Sequence, residues 1–236
     1  MILRIRFHKH GPVRYIGHLD VMRFFQKAVR RAGIDIKYTS GFSPHQVMSF
    51  AQPLSVGHES SGEYMDIEVL SLTSCEDVRQ KLNAASVPGI KVMSVRVLPE
   101  KAGNAMASVA AARYTVYFKN GKMPKFMMDE DFNMKKAASG LMEKDEILIT
   151  KEGKTGLREV DIRQGIYELD WASDHFNMML DASSGGNINP SQVISALCRE
   201  YGETPDDHAL FVIREDTYTR LENGDFLSLG EVGEIL

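Results

Sequence analysis

Cysteine is scarce: Cys75 and Cys198 are the only two in 236 residues. They lie far apart, match no metal-ligand spacing, and fit a reducing compartment better than a disulfide framework. Long apolar runs are missing as well. The opening Met1-Ile2-Leu3-Arg4-Ile5-Arg6 alternates apolar and basic side chains, unlike the continuous apolar stretch of a signal peptide. No later segment approaches the length of a membrane span, so a cytoplasmic chain with no membrane partner is expected. No GxxxxGK(S/T) run occurs and no GxGxxG opens a helix, which removes the usual phosphate-cradling loops. Neither thiol has a neighbouring histidine, and no serine stands in a nucleophile-elbow pattern. Low-complexity tracts are absent, and 43% hydrophobic with 25% charged residues is the composition of an ordinary globular protein.

Acidic residues are scarce in one place. Residues 1–50 hold nine of the 28 Lys and Arg but only Asp20 and Asp35 of the 32 acids, a local charge of +7 that leaves −11 for the remainder. The overall −4 therefore hides an electropositive segment. Such a segment on an acidic protein points to an anionic partner, of which RNA is the commonest large one. Scattering of these charges over a solvated face is the alternative.

Hydrophobic periodicity gives the order of elements. Residues 2–8 alternate as a half-buried strand does. Residues 18–32 read as a helix, with Leu19, Met22, Phe25, Val29 and Ala32 at three- and four-residue steps and Gly33 ending it. Strands follow at 34–38 and 63–70, a helix at 75–85 and a strand at 90–98. This βαββαβ order predicts a ferredoxin-like domain over 1–100. Residues 101–112, rich in Ala and Gly, read as a linker. The second domain, 113–236, repeats the theme: strand 113–119, helix 131–142, strand 146–151, a Gly153-Lys154-Thr155-Gly156 turn into 160–169, strand 175–181, helix 190–200 behind an Asn189 cap, and strand 209–214. The expected fold is therefore α+β, two tandem ferredoxin-like plaits, the second with an inserted β-hairpin.

The right-handed crossover rule makes the first two strands of such a plait parallel. The loops 8–17 and 39–62 then emerge at one end of the sheet and, with His18 at the helix start, carry five of the seven histidines. Long ordered loops are more often functional than structural. At 100° per residue, Arg23, Lys27, Arg30 and Arg31 share one helical face, and this basic stripe could track a phosphate backbone. An ordinary solvent face fits it equally. Asp20 in the first helical turn serves the helix dipole and can pair with Arg23. His18 could be a general base, a phosphate contact or a metal ligand, with a purely structural role as the alternative. His8, His10, His18, His45 and His58 with Glu59, Glu63 and Asp66 could converge on a metal, but no pair has a recognised ligand spacing, so no metal is expected. His8, Lys9 and Arg14 beside Tyr15 make a mix suited to nucleotide contact.

The run Arg6-Phe7-His8-Lys9-His10-Gly11-Pro12-Val13-Arg14-Tyr15-Ile16-Gly17-His18-Leu19-Asp20 resembles the opening of the radical-SAM-linked protein family, as do Ala28-Val29-Arg30-Arg31-Ala32-Gly33, Gly41-Phe42-Ser43-Pro44-His45 and Glu63-Tyr64-Met65-Asp66. Glu159-Val160-Asp161-Ile162-Arg163 and the stretch from Gly186 to Pro190 fit more sparsely. The chain departs from the pattern at Gly17, where Ser is expected, and at Asn189, where Arg is expected. The resemblance implies a companion to a radical-SAM enzyme acting on RNA or near the ribosome. With no CxxxCxxC, this chain has no cysteine set for the cluster that cleaves S-adenosylmethionine; cluster and cofactor would belong to the partner.

The expectation is thus a non-catalytic accessory protein that presents RNA or another anionic substrate to that partner. Lys9, Arg14, Arg23, Lys27, Arg30 and Arg31 would contact it, with His18, Asp20, His45, His58 and Glu63 lining the site. Two alternatives stay open: a metal-independent ribonuclease using His18 or His45, by fold-level analogy to the RAMP class that processes CRISPR RNA, and a protein adaptor for the same partner.

Overall fold

The structure is a computed structural model that describes residues 1–100, 102–153, 156–206 and 208–236. It is α+β, with five α-helices and mostly antiparallel strands among the described residues. The chain divides into two compact units, residues 1–110 with 214–236, and residues 111–213.

In the first unit β1 (Ile2–Lys9) leads into α1 (His18–Arg31), β2 (Met48–Phe50), β3 (Glu59–Glu68), α2 (Cys75–Ala84), β4 (Ile90–Val97) and the short α3 (Ala105–Ser108). β1 lies between β4 and β3, antiparallel to both, with Ile5 opposite Met65 on one side and Val95 on the other. Leu3, Ile5 and Phe7 alternate along β1 into the core, as the period-two pattern requires. α1 covers them with Val21, Phe25, Ala28 and Val29. The Phe7 and Phe25 rings meet edge to face at 4.6 Å, and burying one such ring stabilises the fold by about 2–3 kcal/mol. Gly17 at the N-cap of α1 supplies no side-chain bond; Asp20 in the first turn and Arg30 and Arg31 in the last favour the helix dipole instead. Gly33 at φ +64 turns the chain out of the helix.

Residues 34–38 do not form the expected strand. Ile36 and Tyr38 make single bridges to Val69 and Gln46, because the edge of β3 along Met65–Ile67 is taken by β2. Leu19, expected in the core, is exposed: the buried face of α1 is turned toward Val21 and Ala28.

The second unit holds β5 (Ala111–Phe118), α4 (Met134–Met142), β6 (Leu148–Gly153), β7 (Gly156–Asp161), β8 (Ile166–Ala172), β9 (His175–Asp181) and α5 (Pro190–Glu200). β9 lies between β5 and β8, antiparallel to both, and β6 and β7 form a separate two-stranded sheet. The turn expected at Gly153-Lys154-Thr155-Gly156 lies partly outside the described residues. The expected strand 160–169 is interrupted. The Asp161 carboxylate accepts from the Ile147 and Arg163 amides at 2.8 and 2.9 Å, and the chain bends there between β7 and β8. At α5, Pro190 fills the first turn and Gln192 accepts from the Asn189 amide at 2.9 Å.

β10 (Leu210–Arg220) begins in the second unit, where the Lys119 amide donates to the Ala209 carbonyl at 2.8 Å, and from Arg214 onward it belongs to the first. There Thr217 donates to the Gly62 carbonyl at 3.1 Å, and β11 (Phe226–Ser228) pairs with Tyr218–Arg220. The division expected at 101–112, with everything beyond 113 in a second domain, therefore differs: 214–236 fold with the first unit. The cause is a close approach of β10 to β3. A Cβ on Gly62 would lie 2.4 Å from the Asp216 Cα, so only glycine admits the last strand there. No helix among the described residues is long and apolar enough to cross a membrane.

Candidate nucleic-acid interface

The chain leaving β1 forms a 3-10 turn, Gly11–Tyr15, with Gly11 at φ +67. One carboxylate organises it. Glu59, at the start of β3, accepts from His10 Nδ1 and the Gly11 amide at 2.9 Å each and from Arg14 Nη1 at 3.0 Å. Burial alone raises the Glu59 pKa, but the bonds from His10, Gly11 and Arg14 outweigh it and hold the carboxyl below its usual range. The Gly57 amide donates to the Arg14 carbonyl at 2.9 Å, so the loop 51–58 is fastened to the same turn. The meeting of the two loops, expected from the crossover rule, is thus made by backbone and Glu59. His8 stacks edge-on to His10 at 5.3 Å, and burial with the neighbouring His10, Arg6 and Lys91 pushes its pKa down.

Lys9 is not at the surface. It is 2% exposed, and its ammonium donates to the Ile16 and Arg14 carbonyls at 2.9 and 3.4 Å. Its pKa is lowered by burial, with Glu63 opposing that and Arg214 adding to it. Glu63 is buried too, paired with Arg214. Both were expected to meet a substrate; both instead hold the turn and the last strand in position. Alternation along β1 places Lys9 on the side of Leu3, Ile5 and Phe7, and that was the available signal. Arg214, far away in sequence, gave none.

The helix residues lie as the periodicity predicts. Arg23, Lys27, Arg30 and Arg31 are all exposed on the face opposite Val21, Phe25, Ala28 and Val29. Arg23 pairs with Asp20 at 3.3 Å, an exposed pair worth well under 1 kcal/mol. Arg31 donates to the Ala85 carbonyl at 2.9 Å. His18 packs edge-on to Phe50 at 5.3 Å. His45 is exposed and bonds Thr39 Oγ1 at 3.1 Å; His58 is half-buried, its amide donating to the Ser55 carbonyl at 3.2 Å. Among the described residues no hydrogen bond joins His18 to His45, and no three His, Cys, Asp or Glu side chains converge on a metal position.

Exposed rings complete the surface. Tyr15 is 62% exposed, with the Arg14 guanidinium 4.8 Å from its ring centre, and Phe42 projects fully into solvent. The arrangement can hold polyanions through cations on one helix face and offer flat faces beside them; the pairing of His10 with Glu59 continues to Ser61, whose Oγ lies 3.4 Å from His10 Nε2.

The profile of a family described as an uncharacterized protein conserved in bacteria (DUF2344) matches residues 3–190, and the chain belongs to that family. Among curated proteins nothing matches.

Proposed function

We propose that this DUF2344 member is a non-catalytic protein that binds RNA and presents it to a partner radical-SAM enzyme. The observation that carries the RNA reading is the outer face of α1. Four cations lie exposed on one rigid helix, and only one of them, Arg23, pairs with a carboxylate among the described contacts. Arg23 to Arg30 spans about 10 Å of helix axis, a length suited to successive phosphates. Arg14, pinned by Glu59, adds a fifth cation beside the same turn. Lys9 and Glu63 are buried, Lys9 on the carbonyls of the Arg14–Ile16 turn and Glu63 on Arg214, and in this reading they position rather than contact the RNA.

The partner rests on the sequence resemblance alone. In that reading this chain carries no cofactor, the iron–sulfur cluster and S-adenosylmethionine belong to the partner, and the compartment is the cytoplasm. Each unit is read as a ferredoxin-like plait. Support comes from the order β4-β1-β3 with β2 on β3 in the first, and β5-β9-β8 with β6 and β7 inserted in the second.

Gel retention of total cellular RNA at low and high salt tests the binding half. The wild-type chain retains RNA in a salt-dependent manner, and a Lys27→Ala/Arg30→Ala/Arg31→Ala variant retains markedly less, with a weaker dependence on salt. Equal retention by both would remove the helix from the account. Co-purification with a radical-SAM enzyme tests the other half.

A further inference from the structure

We infer that the RNA taken by this surface is unpaired, its bases stacking on Phe42 and Tyr15 beside the cations of α1. This rests on the RNA-binding reading and names the substrate class for it. Phe42 is held out by construction. Its loop is closed by the Thr39 amide donating to the His45 carbonyl at 2.9 Å and the His45 amide donating to Thr39 Oγ1 at 3.1 Å. Gly41 turns the chain at φ +113. Gln46, just beyond, donates through Nε2 to the Gln26 carbonyl of α1 at 3.2 Å, next in sequence to Lys27. The ring-bearing loop is therefore fastened to the helix that carries the cations.

Tyr15 is fixed in a comparable way. Arg14 Nη2 donates to its hydroxyl at 2.9 Å while Nη1 is held by Glu59, so ring and guanidinium are presented together. The two attachments, at the start of α1 and at Gln26, lie about 12 Å apart along the axis, a span for a few nucleotides. Cations alone would serve a duplex, whose base faces are hidden in the stack; ring faces serve only bases that have been splayed out. A protein-docking anchor would stand within an apolar patch. In sequence Phe42 is flanked by Ser40, Gly41, Ser43 and Pro44, all exposed and none a large apolar side chain, which favours a base over a protein pocket.

The test is fluorescence anisotropy of the full chain with a labelled single-stranded oligoribonucleotide of about 12 nucleotides and with the same strand annealed to its complement. Wild type binds the single strand more tightly. Phe42→Ala and Tyr15→Ala each weaken single-strand binding about five- to a hundredfold with an unchanged salt slope, leave duplex binding alone, and Phe42→Trp restores it. Phe42 is fully exposed, so its removal does not disturb folding. Equal affinity for both forms with no effect of Phe42→Ala overturns the inference while leaving phosphate binding intact. Binding of neither form at low salt overturns the RNA reading and this inference with it.

Discussion

Arg214 and Glu63 lie 151 residues apart and form one buried ion pair, Nε to Oε1 at 2.8 Å. Arg214 also donates to the Gln52 side chain and carbonyl at 3.0 and 2.9 Å. Glu63 is on β3 and Gln52 on the loop that is fastened to the Gly11–Tyr15 turn, so one guanidinium joins β10 to β3 and to that loop. Removing one partner of such a pair leaves a buried charge uncompensated. Arg214→Ala should therefore cost about 3–5 kcal/mol in urea unfolding, while Glu63→Leu/Arg214→Met costs much less. A single variant within 0.5 kcal/mol of wild type would show that the pair is dispensable.

Gly62→Ala tests the same junction without touching a charge. Its Cβ would lie 2.4 Å from the Asp216 Cα and 2.7 Å from the Glu215 carbonyl oxygen. Backbone must move, so a loss of about 1–3 kcal/mol or more is expected from the unfolding midpoint. An unchanged midpoint would mean that β10 can withdraw from β3 freely.

Glu59 sets an acid limit on the turn. Its folded pKa is depressed, so its stabilising bonds are in full force above the ordinary carboxyl value of about 4.3 and are lost as pH falls through the lower folded value. Wild type should lose stability between neutral and acid pH more steeply than Glu59→Gln, read as thermal midpoints by circular dichroism. Parallel profiles would contradict this.

His18→Ala separates binding from cleavage. A histidine acting as acid or base contributes about 10²–10⁴ in rate, yet His18 rests edge-on against Phe50, and among the described residues no hydrogen bond joins it to His45. RNA incubated with wild type and with the variant should keep its length in both, and retention should survive the substitution. Shortened RNA with wild type alone would install a nuclease.

The parts legible in the sequence were those that local periodicity decides. β9 at His175–Asp181 and α5 at Pro190–Glu200 fall at the expected residues, and the cations of α1 face outward as their spacing says. What the sequence did not disclose depends on distant pairings. Residues 34–38 have strand-like composition, but β2 occupies the edge they would need. Lys9, expected to contact the substrate, is buried on backbone carbonyls, and its neighbour along β1, Arg4, is buried against Asp66 through two bonds of 2.9 Å. The return of 214–236 to the first unit is written in Gly62, Glu63 and Arg214 jointly and in none of them singly.

The salt dependence of RNA affinity, measured for wild type and for Lys27→Ala/Arg30→Ala/Arg31→Ala, tests the central claim most directly. For single strands log K falls with log salt by about 0.7 per phosphate neutralised, so the variant's slope should be shallower by about 2. Equal slopes, or no binding by wild type at low salt, would contradict an RNA-binding face on α1.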